Sequence, residues 1–153
     1  MLKTTLRILS AAILAVAAAS CDDANSPTEP ILFVGPATLQ TTDVRAGTGE
    51  TLVVGQQAVV HYGLWLYDPN GTDSKGTFVQ DSRLTAAGAS GFTIRIASGS
   101  VIQGWVEGLP GMKIGGLRRL VIPPSLAYGA QGNGSIPGNA WLVFDVDLIG
   151  IQP

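Results

Sequence analysis

The segment Leu142-Val143-Phe144-Asp145-Val146-Asp147-Leu148 dictates its own conformation more strongly than any other in the chain. Leu142, Phe144, Val146 and Leu148 recur at every second residue with Asp145 and Asp147 between them, so an extended backbone puts four apolar side chains on one face and both carboxylates on the other. That is a half-buried strand, and it needs apolar cover on one side only. The same period governs other segments. Gln57-Ala58-Val59-Val60-His61-Tyr62-Gly63-Leu64-Trp65-Leu66-Tyr67 reads as a strand closed by the turn residues Asp68-Pro69-Asn70-Gly71. Phe92-Thr93-Ile94-Arg95-Ile96 alternates, and Leu117-Arg118-Arg119-Leu120-Val121-Ile122 does so less cleanly.

One stretch follows a different period. Val101, Ile102, Trp105 and Leu109 recur at helical spacing, and Pro110-Gly111 stops the run. Gly104 and Gly108 flank the tryptophan at a cost of about 0.5–1 kcal/mol each relative to alanine. A helix that carries two such glycines either packs very tightly or lines a hole, and a buried Trp105 needs a partner for its indole N–H. Several half-buried strands and one short helix give an α+β architecture, a twisted antiparallel β-sheet wrapped around one short α-helix. With 153 residues, 20 glycines, 9 prolines and 13% charged residues, the chain has room for one small, turn-rich domain. It contains no internal repeats and no heptads.

The first twenty residues lie outside that pattern. Lys3 and Arg7 precede an apolar run from Ile8 to Ser20 that ends in small residues, the plan of an export signal. The run is shorter than the roughly 20 residues of a spanning helix and has no polar face for an amphipathic one. Cys21 is the only cysteine, so no internal disulfide can form. Ala18-Ala19-Ser20-Cys21 resembles a bacterial lipobox, with Ala18 where a large aliphatic residue is usual. Lipidation gives the lone cysteine a role; ordinary cleavage after one of the alanines is the alternative. The boundaries read 1–20 signal peptide, 21–36 lipidated cysteine and flexible tether, and 37–153 folded domain. The tether assignment rests on Asp22-Asp23-Ala24-Asn25-Ser26-Pro27-Thr28-Glu29-Pro30. The formal charge is -2, and loss of Lys3 and Arg7 makes the remainder more acidic still, which argues against nucleic acid as a partner.

Catalytic chemistry of the usual kinds is missing from the domain. His61 is the only histidine, no serine sits in a nucleophile-elbow setting, and no His, Cys, Asp or Glu cluster has metal-ligand spacing. Gly129-Ala130-Gln131-Gly132-Asn133-Gly134 does not follow a strand-to-helix phosphate pattern, so no nucleotide, metal or other cofactor is expected. Aromatic residues and turns remain, and they suggest a binding pocket.

Five separated motifs, taken in order, resemble the FKBP-type peptidyl-prolyl cis/trans isomerases over roughly residues 37–153. They are Val60-His61-Tyr62-Gly63, Asp81-Ser82, Val101-Ile102-Gln103-Gly104-Trp105-Val106-Glu107-Gly108, Ala127-Tyr128-Gly129 and Leu142-Val143-Phe144-Asp145-Val146-Asp147-Leu148. The resemblance implies that Trp105 is the floor of a proline-binding pocket, with the glycines letting the helix lie close beneath it. It implies catalytic roles for Tyr62, Asp81, Trp105, Tyr128 and Phe144, and substrate-binding roles for Phe92, Val101, Ile102 and Ile136. Tyr128 and the Ile102 backbone N–H would hydrogen-bond substrate carbonyls. Gln80 stands where the family carries an aromatic residue; alternatively the loop is shifted and Phe78 fills that space from further back. Trp141, on the Asp145 side of its strand, is expected to be exposed near the rim.

The activity so implied is rotation about X–Pro bonds by preferential binding of the twisted amide, which needs no nucleophile. The clients would be proline-containing unfolded or nascent chains of the cell envelope or secreted proteins. Macrolides such as FK506 or rapamycin are possible ligands, and a lipid anchor would hold the protein at a bacterial membrane, facing the periplasm or exterior. Two other readings stay open: a non-catalytic proline-peptide-binding or chaperone module of the same fold, and a structural surface lipoprotein.

Overall fold

The computed structural model describes residues 30–85, 88 and 90–152; Cys21 and the export signal lie outside the described residues. The strand expected over residues 57–67 is β2 (Gln57–Tyr67), and the sheet is built around it. β1 (Gln40–Arg45), β3 (Lys75–Asp81), β4 (Phe92–Arg95), β5 (Leu117–Ile122) and β6 (Leu142–Gln152) complete six strands. All pairings are antiparallel, in the order β1-β5-β6-β2-β3, with β4 paired to β2 as well. One edge of β2 is occupied by β6 along nearly its full length, and β4 and β3 share the other edge in succession.

The alternation in β6 sorts side chains as the sequence requires. Leu142, Phe144, Val146 and Leu148 are buried on the inner face beside Val60, Leu64, Leu120 and Ile122. On the outer face Asp145 accepts hydrogen bonds from Lys75 Nζ at 2.6 Å and Arg119 Nε at 2.7 Å, while Arg119 also reaches Asp73 at 2.8 Å. Asp147 is held by Arg45 at 2.8 Å and Arg83 at 3.1 Å. Burial works to raise the Asp145 pKa, but the hydrogen bonds from Arg119 and Lys75 outweigh it and hold the carboxyl below the usual carboxylate value.

The helix, α1 (Gln103–Gly108), packs across the inner face. Its two glycines face β5: a methyl on Gly104 would lie 2.5 Å from Ile122 Cγ2, and one on Gly108 would lie 2.8 Å from Leu120 Cδ2. The glycines therefore bring the helix close to the sheet, and Trp105 is directed to the cavity. Arg118 Nη1 donates to the Gly108 and Pro110 carbonyls at 2.9 and 3.1 Å, which satisfies backbone acceptors at the helix end.

Trp141 departs from the expectation of an exposed ring. It is half-buried, its indole N–H donates to the Pro36 carbonyl at 3.0 Å, and its Cδ1 lies so near Gly35 that a methyl there would be 2.5 Å away. Ile31 and Phe33 line a groove with Leu66, Tyr67, Gly76 and Thr77. Residues 30–36, which the sequence reading placed in the tether, thus run along the end of the β2–β3 hairpin.

Candidate functional site

A cavity of about 410 Å³ opens between α1, the inner face of the sheet and the loop before β6. Its floor is Trp105, 5% exposed, with Tyr62 and Phe144 standing edge-on to it at ring-centroid distances of 5.4 and 5.3 Å and interplanar angles of 78° and 80°. Tyr62 also meets Phe144 at 5.9 Å and Phe92 at 6.3 Å. Four rings drawn from β2, α1, β6 and β4 therefore enclose one space. Among the described residues the Trp105 indole N–H has no hydrogen-bond partner, contrary to the expectation for a buried tryptophan.

Strand geometry explains how the sequence assembles these rings. Tyr62 and Leu64 are two apart on β2 and both line the cavity, as are Phe92 and Ile94 on β4. His61, between Val60 and Tyr62, is opposite Asp147 in register and does not line it. Val101 and Ile102 lead into α1 at the mouth, and Tyr128 and Ile136 come from the segment between β5 and β6. The Tyr62 phenol is pushed above its ordinary pKa by burial and then by Tyr128 and Asp81, so it remains a neutral O–H donor at physiological pH.

Asp81 is not among the residues that line the cavity, although its charge lies near enough to raise the Tyr62 pKa. Its Oδ1 accepts the Arg83 N–H at 2.8 Å and its Oδ2 lies 3.8 Å from the Arg83 guanidinium, so the carboxylate caps the single helical turn Ser82–Leu84. All the other residues expected in the pocket, Tyr62, Phe92, Val101, Ile102, Trp105, Tyr128, Ile136 and Phe144, do line it. Gln80 lines it too, and the alternative in which Phe78 fills that space fails. Leu64 pairs with Gln80 but Trp65 pairs with Phe78, which leaves Val79 as the extra residue of a bulge. Strict alternation would put Phe78 and Gln80 on one face; the bulge instead presents Val79 and Gln80 to the cavity and sends Phe78 to the opposite face, 6.0 Å from Trp65. Ser100, Asn133 and Ser135 complete a rim that sequence reasoning missed, since loop hydroxyls and amides carry no periodic signal.

The lining residues include no charged side chain and no histidine. The cavity can bind an apolar ring, offer O–H and amide groups to neighbouring carbonyls, and exclude water.

The family described as FKBP-type peptidyl-prolyl cis-trans isomerase matches residues 49–149. An FK506-binding protein of Neisseria meningitidis is 41% identical over 108 residues, covering 70% of this chain and 90% of its own length. Peptidyl-prolyl cis-trans isomerase FKBP53 of Arabidopsis thaliana is 53% identical over 66 residues, covering 42% of this chain, and the chain spans only 14% of that relative. The crystal structure of FkpA from Escherichia coli superposes with a TM-score of 0.61 at 38% identity, over 75% of this chain and 48% of that one.

Proposed function

The chain belongs to the FKBP-type peptidyl-prolyl cis-trans isomerases, and we propose that it accelerates rotation about X–Pro bonds in unfolded or nascent polypeptides. The observation that carries this reading is the enclosure of one uncharged cavity by Tyr62, Phe92, Trp105 and Phe144.

The chemistry demanded is small. An X–Pro bond favours trans by only about 0.5–1 kcal/mol, yet it exchanges over tens to hundreds of seconds because amide resonance must be broken. At the twisted geometry that resonance is lost, and the carbonyl is less well served by water than in the planar amide. A cavity that seats the pyrrolidine ring on Trp105 and withdraws the bond from water binds the twisted form better than either planar one, which is catalysis by differential binding. Tyr128 supplies an O–H, and the Ile102 backbone at the mouth an N–H, to the carbonyls that flank the proline. No group need gain or lose a proton.

A protease-coupled assay on a proline peptide tests the reading. Acceleration without added metal or nucleotide is the expected result, and peptide binding without acceleration would leave a binding module. Macrolides of the FK506 type should enter the same cavity and quench Trp105 fluorescence.

The cellular setting is a finer proposal. Lys3, Arg7, the apolar run and Ala18-Ala19-Ser20-Cys21 support export and lipidation at Cys21, which would tether the isomerase to a bacterial membrane beside newly exported chains. A diacylglyceryl mass on the N-terminal peptide, lost in Cys21→Ser, is the expected outcome; an unmodified soluble chain that begins before Cys21 would contradict it.

A further inference from the structure

β2 changes partners in mid-strand, and the change falls at the cavity. Its first residues pair with β4 as far as Val60 opposite Phe92, and its second half pairs with β3 from Gly63 opposite Asp81. Tyr62 lies in the gap between the two ladders, where no strand residue is paired to it on that edge. A backbone N–H left unpaired in a partly buried strand is costly. Here the Tyr62 N–H donates to Ser82 Oγ at 2.9 Å.

Ser82 is itself fixed. It is 3% exposed, the one buried polar residue among the described residues, and its carbonyl accepts from Thr85 Oγ1 at 2.8 Å and from the Thr85 N–H at 3.3 Å. The turn it begins is capped by Asp81 and tied by Arg83 to Asp147 of β6, the strand that carries Phe144. One hydroxyl thus joins the turn after β3 to the β2 residue whose ring meets Trp105, Phe144 and Phe92.

We infer that Ser82, which does not line the cavity, is a positioning residue for turnover, setting the Tyr62 ring by closing the gap between the β4 and β3 ladders. The inference rests on the isomerase reading above. It explains why a hydroxyl follows Asp81: an apolar side chain there would fill space but leave the Tyr62 N–H without an acceptor.

Steady-state kinetics on the full chain test it through a double-mutant cycle. Ser82→Ala should lower kcat/KM about tenfold, the loss expected for one hydrogen bond acting on the transition state. Ser82→Thr, which keeps the hydroxyl, should recover most of that loss. In a Tyr62→Leu background, Ser82→Ala should change kcat/KM by less than about twofold, because its route of action is already gone. A purely structural role would give the same loss in both backgrounds, and that result overturns the inference. Hydrogen exchange on the unaltered chain tests the contact independently of whether the variants fold. The Tyr62 amide should be protected like the ladder amides on either side, and exchange at the rate of an exposed amide would overturn the assignment. Turnover in the unaltered chain with none lost in Ser82→Ala refutes the Ser82 role alone; no turnover in the unaltered chain refutes the isomerase reading and the role with it.

Discussion

Phe144 and Tyr128 line the same cavity and contribute differently to it. Phe144 is 3% exposed and forms part of the apolar enclosure, whereas Tyr128 is half-buried and adds one O–H at the side. Tyr128→Phe keeps the ring and removes a single hydrogen bond, so kcat/KM should fall only about three- to tenfold. Phe144→Ala should cost a great deal more, and it also empties a core position at about 3–5 kcal/mol of stability, so activity must be compared on variants shown by circular dichroism to be folded. Both residues were legible in the sequence, Phe144 from the period of two and Tyr128 from its motif. The placement of Asp81 was not, because an aspartate before a serine suits a cavity wall and a turn cap equally well. In the structure its Oδ1 accepts the Arg83 N–H.

Among the elements, α1 depends most on residues without side chains. Six residues of helix have little intrinsic stability, so α1 persists by lying on the sheet. Gly104→Ala would drive a methyl to 2.5 Å from Ile122 Cγ2, and overpacking of this kind should destabilise the domain by about 1–3 kcal/mol in urea denaturation, despite alanine's better helix propensity. A neutral or stabilising Gly104→Ala would show that the contact with β5 is looser than described. The two glycines flagged this contact in the sequence, and β2, β5 and β6 declared themselves by alternation. β1 gave no such signal because all six of its residues are exposed, and its place is set by pairing with β5. β3 was hidden by its bulge, which breaks the period of two at Val79, the point where the strand turns side chains into the cavity.

Across the domain the two faces of the sheet divide the labour: the inner face holds the core and cavity, and the outer face carries the ion pairs that join β3, β5 and β6, whereas Arg118 pairs with Asp43 of β1 from the helix side of β5. Asp145 sits at the centre of that outer network, between Lys75 of β3 and Arg119 of β5. Its pKa is lower folded than unfolded, so its contribution to stability is present above the unfolded value of about 3.8 and is lost as pH falls through the folded one. Thermal unfolding should therefore show a drop in Tm below about pH 4 that is smaller in Asp145→Asn, and an unchanged acid limb in that variant would remove Asp145 from the account. The same division keeps the one histidine away from the cavity: His61 faces away from Tyr62, opposite Asp147, and no described lining residue carries a side chain that ordinarily titrates between pH 5 and 8. Rotation accelerated by shape and desolvation, with no proton transferred, leaves its plainest mark on the pH dependence of kcat/KM for a proline peptide. The profile should be nearly flat from pH 5 to 8 and unaltered in His61→Gln; a bell-shaped profile abolished by His61→Gln would instead establish general acid–base catalysis.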